Sequence, residues 1–382
     1  MNVSENPHLA VRRDVKYVVL GAAGFVGGAL IERLRRHGAQ VVPVIHRIGP
    51  GAAFLARFEM PQQVADVRNP ASLQPIFKDA GTVFHCVTGD RASVVEGLSN
   101  SLEAARSAGV RRFVYLSSAV VHGFHPKSPI VEDSPFSPRS ASDYAENKVA
   151  AEKIIANWRG APETVVLRPS IIYGPRSKYW SEAPAREIVA GTAYLVDQGA
   201  GHMNDIYIEH LLDAMLLAAN HPKAANRVYV LQDGFGLTWR DYYRSLCDLL
   251  GASFDLIPRF ALADIIHDSG KLRRITRWAK ATPDVLSLTV RHDPLKSWLK
   301  QAPGFESVRR FGLGAPVNGG AKGITGNAPT VAPQLEVGLL HTFPQPIDDA
   351  RIRGELEFLP RFTFAETPEA LRRWYRFVGL AP

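Results

Sequence analysis

The chain has 382 residues, a formal net charge of +8 at pH 7 and two cysteines, Cys86 and Cys247. Two isolated cysteines exclude a disulfide framework and a C-x-x-C zinc motif, and the dispersed basic residues form no helix-turn-helix or aromatic-basic RNA motif, so we expect neither a metal nor nucleic acid. The absence of a signal peptide and of a run of about 18 apolar residues predicts a cytoplasmic protein without a transmembrane segment.

The first predicted elements are a buried strand, a glycine-rich turn and a helix. Four apolar residues precede Gly21, Gly24 and Gly27, which have the spacing G-x-x-G-x-x-G. Gly21 permits a tight turn, Gly24 lets a pyrophosphate approach the backbone, and Gly27 lets the helix pack close to the strand. The N–H groups at the start of such a helix, including those of Phe25 and Val26, attract phosphate. The pattern therefore predicts a dinucleotide-binding turn.

Strand and helix signals alternate from this turn to about residue 169. Further strands are predicted at residues 41–45, 63–66, 82–87, 112–117, 164–167 and 227–231. The clearest predicted helices lie at residues 96–108, 208–219, 239–250, 348–356 and 367–378. Alternation of this kind indicates an α/β protein with a doubly wound, parallel Rossmann sheet, in which ligands bind at the carboxyl ends of the strands.

Two domains are expected from the way this pattern changes along the chain. The NAD(P)-binding Rossmann domain would cover residues 14–175, and segments at about 204–232 would return to it. Residues 176–382 would form mainly a smaller, discontinuous C-terminal substrate domain. Within it, residues 258–340 are a variable, loop-rich region, since glycine, proline and small polar residues replace the periodic pattern there.

A candidate catalytic group follows the strand predicted at residues 112–117. Tyr144 and Lys148 lie four residues apart, which places them one turn apart on the same face of a helix. We expect the lysine charge to favour the phenolate and to lower the pKa of Tyr144 toward the range of a general acid/base. Ser118, at the carboxyl end of the strand, is placed to hydrogen-bond the same substrate oxygen. These three residues are the predicted catalytic residues.

Together, these motifs resemble the extended short-chain dehydrogenases/reductases, within the broad NAD(P)-dependent epimerase/dehydratase and 3β-hydroxysteroid dehydrogenase group. The likeness covers residues 17–251 in family order, and residues 347–375 resemble the family's closing helices. It rests on the glycine turn, on Ser118, Tyr144 and Lys148, and on the segments at residues 65–69, 83–87, 167–175 and 204–208. The resemblance implies an NAD(P)-dependent enzyme.

The resemblance also implies roles for individual residues. Asp66 and Val67 would contact the adenine, and Lys148 would hold the nicotinamide ribose and tune Tyr144. The other residues expected to line the cofactor cleft are Cys86, Val87, Thr88, Ser117, Pro169, Ile171 and Ile172. The residues expected to contact substrate are His122, Tyr179, Trp180 and Asn204; the alternative for the two aromatic residues is that they close the junction between the domains. Cys86 is interpreted as a wall residue and not as a nucleophile, and His85 as a packed structural residue.

Three departures from the family pattern bear on specificity. NAD-preferring relatives end the second strand with an acidic residue, whereas this chain has His46 and Arg47, which favours NADP and leaves NAD open. Ala119 follows Ser118 where dehydratases carry an acidic residue, so dehydration is disfavoured. Ile171 stands where nucleotide-sugar enzymes often carry an asparagine, and it cannot hydrogen-bond a sugar diphosphate.

The predicted function is NAD(P)-dependent interconversion of a secondary alcohol and a ketone on a relatively apolar small molecule. One alternative is a nucleotide-sugar 4-epimerase, which would retain NAD tightly. A second alternative is a non-catalytic NAD(P)-binding regulatory protein, although such proteins typically lose the tyrosine or the lysine. A homodimer is left open by the sequence.

Overall fold

The computed structural model describes residues 6–123, 129–138, 143–266 and 333–381. A seven-stranded sheet lies at its centre, and every neighbouring pair of strands is parallel. The strands of this sheet are β1 (Lys16–Leu20), β2 (Gln40–Ile45), β3 (Gln63–Val64), β4 (Thr82–His85), β5 (Arg112–Leu116), β6 (Glu163–Pro169) and β10 (Arg227–Leu231). Their spatial order is β10-β6-β5-β4-β1-β2-β3, so the chain reverses direction across the sheet between β1 and β4.

Two small parallel sheets lie beside the main one. The first pairs β7 (Ile171–Tyr173) with β9 (Asp205–Tyr207), and the second pairs β8 (Leu195–Val196) with β11 (Arg259–Phe260). The longer helices are α1 (Phe25–Arg36), α3 (Pro70–Phe77), α4 (Gly97–Ser107), α5 (Asp143–Asn157), α7 (Ile208–Asn220), α8 (Trp239–Leu250) and α11 (Pro368–Phe377). The shorter helices are α2 (Pro50–Ala56), α6 (Ala183–Val189), α9 (Leu335–His341) and α10 (Ala350–Leu356).

Both faces of the main sheet are covered by helices. In β1, Tyr17 and Val19 belong to the core beneath α1 and α7, whereas Val18 and Leu20 belong to the core beneath α3, α4 and α5. Side chains alternate between the two faces of a strand, so a strand buried on both faces is apolar throughout. This packing explains the uninterrupted apolar run before Gly21 and confirms the doubly wound parallel fold.

The predicted strands and helices agree with the described structure. All seven strands of the main sheet begin within about two residues of the expected positions, and the last three predicted helices correspond to α8, α10 and α11. The short helix α2 and the two small sheets were not predicted. Most of the loop-rich region at 258–340 lies outside the described residues, and the domain boundaries remain a prediction. Among the described helices, none combines the length and apolarity needed to cross a membrane.

Candidate active site

The glycine-rich turn between β1 and α1 forms the first part of the site. Gly21 has φ +78°, and a Cβ there would lie 2.7 Å from the Cys86 carbonyl oxygen at the end of β4. A Cβ on Gly27 would collide with the Gly21 carbonyl, so both positions require glycine. Gly24 is the N-cap of α1 and provides no side-chain cap for the N–H groups of Phe25 and Val26. This position favours an anion, because those N–H groups and the helix dipole both attract negative charge.

The ends of β2 and β3 lie next to this turn. His46 Nε2 is 3.7 Å from Asp66 Oδ2, which brings the two strand ends together. Arg68 binds the Asp66 carboxylate through its side chain at 2.6–3.0 Å and through its backbone N–H at 3.0 Å. These hydrogen bonds lower the pKa of Asp66 to about 2. Arg47 is exposed at the same end of β2. The edge therefore combines an ionised carboxylate with two guanidinium groups.

A packing contact that the sequence did not predict closes this end of the cleft. A Cβ on Gly51, in α2, would collide with the carbonyl oxygen of Ala23 in the glycine turn, so α2 packs directly on that turn. The guanidinium carbon of Arg176 lies 3.2 Å from the centre of the Phe54 ring. Burial lowers the pKa of Arg176 to about 10. Arg176 thus connects α2 to the segment that follows β7.

The end of β4 forms the opposite wall of the cleft. Cys86 follows His85, and burial raises the pKa of the Cys86 thiol to about 12, so the thiol is neutral and fits the role of a wall residue. His85 is fully buried, and burial lowers its pKa to about 3, so the ring is uncharged. Of the next two residues, Val87 is half-buried and Thr88 is exposed.

Tyr144 and Ser118 meet at the carboxyl edge of the sheet. Ser118 follows β5 and accepts a hydrogen bond from the Val120 N–H at 3.3 Å. Tyr144 is 39% exposed, yet desolvation of its phenol by the surrounding protein raises the pKa of that group. A hydrogen bond with Ser118 lowers the pKa by a smaller amount. The expected net lowering of the Tyr144 pKa is therefore wrong for the protein alone, because burial outweighs the hydrogen bond.

Lys148 lies below Tyr144 on α5 and is 1% exposed. Its Nζ donates a hydrogen bond to the Leu116 carbonyl oxygen at 2.7 Å. The centre of the Tyr144 ring is 5.8 Å from this nitrogen. Burial lowers the pKa of Lys148 to about 8, so the ammonium group titrates close to physiological pH. The predicted spacing thus brings both side chains to one face of α5.

A buried ion pair lies next to Lys148, and two predicted site residues belong to it. Arg168 binds the Glu152 carboxylate at 2.5–3.0 Å, and both side chains are buried. Ser117 donates a hydrogen bond to Glu152, so its hydroxyl hydrogen is already used within the protein. His122 is fully buried, with Nε2 3.0 Å from Arg168 Nη1 and Nδ1 3.3 Å from the Pro135 carbonyl oxygen. The expected substrate contact of His122 does not fit this position.

The remaining predicted substrate residues occupy different environments. Asn204 uses its amide within the protein: Nδ2 donates to the Gln345 carbonyl at 3.1 Å and Oδ1 accepts from the Ile347 N–H at 3.0 Å. This side chain is committed to the fold, so the expected substrate contact does not fit it. The Trp180 ring packs 6.0 Å from the Trp239 ring at the junction of the helices. Tyr179 is 78% exposed and stays a predicted substrate residue.

The segment after β6 borders the same edge. Pro169 is buried at the end of β6, and Ile171 and Ile172 are half-buried in β7. Ile171 pairs in register with Asp205 of β9.

The sequence patterns did not identify Arg168 and Glu152 as functional residues. The available signal was the i, i+4 spacing of Lys148 and Glu152, which places both on the buried face of α5.

Comparison with known proteins identifies a family. The family model described as "NAD dependent epimerase/dehydratase family" matches residues 17–231, more than half of the chain. The 3beta-hydroxysteroid-dehydrogenase/decarboxylase isoform 1 of Arabidopsis thaliana is 26% identical, over 61% of this chain and 61% of its own length. The UDP-glucose 4-epimerase of Vibrio cholerae is 27% identical, over 62% of this chain and 76% of its own length. The match thus spans less than two thirds of the first of these relatives.

A solved structure extends the similarity of fold. The dTDP-glucose 4,6-dehydratase of Streptomyces venezuelae, with NAD and TYD bound, superimposes with a TM-score of 0.66 at 18% identity. The superposition covers 95% of this chain and 97% of the dehydratase. At this level of identity the similarity establishes the fold alone.

Proposed function

Since the chain belongs to the NAD dependent epimerase/dehydratase family, we propose that it is an NAD(P)-dependent oxidoreductase that interconverts a secondary alcohol and a ketone on a relatively apolar small molecule. The observation that carries the proposal is the convergence of Ser118, Tyr144 and Lys148 at the carboxyl edge of the sheet, which also carries the glycine-rich turn. In doubly wound sheets this edge, where the strand order reverses, is the ligand-binding edge.

The residues that would hold the cofactor fit a dinucleotide. The turn from Gly21 to Gly27 would hold the pyrophosphate, Asp66 and Val67 would contact the adenine, and Lys148 would contact the nicotinamide ribose. The bound nicotinamide supplies a carbon that donates or accepts hydride. Arg47 is exposed where an adenosine 2′-phosphate would lie, which supports a preference for NADP.

The protein's own side chains would manage the proton and the substrate oxygen. Tyr144 would donate its phenolic proton to the oxygen as a ketone is reduced, and would accept a proton in the reverse direction. The pKa of Tyr144 is raised by burial, so the phenol is protonated at neutral pH and suits donation. Ser118 would hold the same oxygen in line with the phenol. The Lys148 ammonium would stabilise the phenolate that remains after transfer.

The proposed substrate is apolar because of the side chains that border the edge. Ile171 and Ile172 offer no hydrogen-bonding side chain there, and Tyr179 exposes an aromatic ring that can cover an apolar ligand.

We place the cofactor domain at residues 14–175 with returns at about 204–232, and the substrate domain mainly at residues 176–382. Strand β10, at residues 227–231, pairs with β6 in the main sheet, which supports the return.

A nucleotide-sugar 4-epimerase is the second candidate, and the similarity to the UDP-glucose 4-epimerase of Vibrio cholerae favours it. Two assays distinguish these functions. The first follows oxidation of NADPH and NADH in the presence of a panel of hydrophobic ketones, and the second follows epimerisation of UDP-glucose. The proposal expects turnover of at least one bulky ketone and no epimerisation. Epimerisation of UDP-glucose at ordinary enzymatic rates would establish the second candidate instead.

A further inference from the structure

The buried ammonium group of Lys148 needs compensation beyond its one strong hydrogen bond. It is 1% exposed, and the Leu116 carbonyl oxygen accepts one of its three N–H groups at 2.7 Å. A buried charge is costly unless it is paired or hydrogen-bonded. The surroundings of the nitrogen therefore decide whether the lysine remains charged at the pH at which the enzyme works.

The titratable groups near Lys148 provide little net negative charge. On β4, His85 is uncharged and Cys86 is a neutral thiol, because burial shifts the pKa of each away from its charged form. On α5 itself, the phenol of Tyr144 is neutral, and the Glu152 carboxylate, whose charge acts to raise the pKa of Lys148, is already paired with Arg168. An anion that could pair directly with the ammonium is thus not found among these groups.

The ring of Tyr115 provides the nearest such contact. Nζ of Lys148 lies 4.8 Å from the centre of this ring and 5.8 Å from the centre of the Tyr144 ring, and a cation is attracted to an aromatic face within about 6 Å. Tyr115 is fully buried in β5, one residue before Leu116, so adjacent residues of one strand provide the ring face and the carbonyl. The attraction is larger in a desolvated position such as this one.

The hydroxyl group of Tyr115 does not explain why a tyrosine stands at this position. Within the part of the chain that the structure describes, this buried hydroxyl has no hydrogen-bond partner. The hydroxyl therefore makes no contact through which it could act on Lys148. The ring face, which a phenylalanine would also provide, is the part of the side chain that we connect with function.

We propose that Tyr115 is a positioning residue whose aromatic face keeps the Lys148 ammonium charged and oriented beneath Tyr144. The proposal rests on the proposed function only in the role that it gives to Lys148. Its contact with the lysine is a property of the protein without cofactor. The interaction of ring and ammonium can therefore be measured independently of any activity.

The experiment titrates Lys148 directly in the cofactor-free protein. Lysines labelled with carbon-13 are followed by NMR across pH, and Lys148→Met assigns the signal. The wild type, Tyr115→Phe and Tyr115→Leu are compared. We expect Tyr115→Phe to titrate like the wild type and Tyr115→Leu to titrate about one pH unit lower, the size that a desolvated cation–π contact implies.

Fluorinated phenylalanines at position 115 provide the control for packing. They retain the shape of the ring while withdrawing electron density from its face, so each added fluorine should lower the titration midpoint of Lys148 further. An unchanged midpoint across this series, or a Tyr115→Leu midpoint equal to that of the wild type, would overturn the proposal. Because the series preserves ring shape, this result does not depend on whether Tyr115→Leu folds.

The pH profile of kcat/KM then connects the contact to catalysis. In Tyr115→Leu the limb on the alkaline side should move to lower pH by the same amount as the NMR midpoint, and in Tyr115→Phe it should stay in place. A shifted NMR midpoint in a protein that turns over no ketone would support the contact and reject the proposed oxidoreductase. An unshifted midpoint in an active reductase would reject the contact alone.

Discussion

The Nε2 atom of His122 lies 3.0 Å from Nη1 of Arg168, deep behind the carboxyl edge of the sheet. Arg168 also donates to the Glu132 carbonyl oxygen at 2.7 Å and binds the Glu152 carboxylate. One guanidinium group therefore connects β6, α5 and the segments on both sides of residues 124–128. This arrangement fixes the position of α5, and with it the positions of Tyr144 and Lys148.

Glu152→Gln should strongly destabilise the protein. The substitution leaves the Arg168 charge buried without its partner, and breaking a buried ion pair in this way typically costs about 3–5 kcal/mol. Urea denaturation of the purified protein measures the change in the free energy of unfolding. Glu103→Gln is the matched control, since it breaks an exposed pair with Arg106 and should change stability by less than about 0.5 kcal/mol. Equal effects of the two substitutions would contradict the structural role of the pair.

Gly27→Ala should disrupt the turn and weaken cofactor binding. The added Cβ would meet the backbone carbonyl of Gly21, which can move only if the turn that holds the pyrophosphate moves with it. The measurement is a fluorescence titration with NADPH, together with thermal unfolding. Gly354→Ala is the matched control, because that exposed helical glycine has no atom near the added Cβ and gains helix propensity. Unchanged NADPH affinity in a folded Gly27→Ala protein would contradict the proposed pyrophosphate site.

Arg47→Ala should reduce the preference for NADPH over NADH. We expect about a tenfold loss of NADPH affinity and little change for NADH, since a hydrogen bond to a charged group contributes about 1.5–3 kcal/mol and Arg47 is exposed. Titration of both nucleotides measures the ratio. Arg36→Ala, at the far end of α1, is the control and should change neither affinity. Wild-type protein that binds the two nucleotides equally would argue against the NADP preference.

Asp205→Asn should change the dependence of stability on pH. Burial and the nearby Asp233 charge raise the pKa of Asp205 from 3.8 to about 7. The folded state therefore binds the proton more tightly than the unfolded state, and the stabilising contribution present below pH 4 is lost as pH rises through about 7. An asparagine at position 205 does not titrate, so it causes no such loss of stability as the pH rises.

The free energy of unfolding of Asp205→Asn should accordingly rise relative to that of the wild type between pH 4 and pH 7. The increase should be on the order of a few kcal/mol, since one pKa unit is about 1.4 kcal/mol. Urea denaturation at several pH values provides the comparison. Asp241→Asn would not serve as a control because it removes a helix cap, whereas Asp248→Asn, at an exposed position of α8, is suitable. A constant difference between the variant and the wild type across this range would exclude the raised pKa.

Local patterns in the sequence were sufficient to predict the edge that carries the site. The glycine spacing requires close backbone approaches at Gly21 and Gly27, and the four-residue spacing of Tyr144 and Lys148 fixes their shared helix face. Both features depend on residues that are near each other in the chain. For that reason they are visible without the structure.

The partners of individual polar side chains could not be predicted in the same way. Asn204 binds the backbone at residues 345–347, and His122 meets Arg168, and nothing local in the sequence specifies contacts over such separations. The pKa of Tyr144 was predicted in the wrong direction for a related reason. Its desolvation depends on surrounding segments of the chain, whereas the spacing to Lys148 indicated only the one opposing charge.

The most direct test of the proposed chemistry is the transfer of deuterium from C4-labelled NADPH to a ketone that the screen identifies, measured in the wild type and in Tyr144→Phe. The phenylalanine keeps the ring but has no exchangeable proton, and general acid–base catalysis typically contributes about 10²–10⁴-fold. We predict deuterium at the carbinol carbon of the product, a loss of turnover of that order in Tyr144→Phe, and unchanged NADPH binding. Near-normal turnover by Tyr144→Phe would contradict the account.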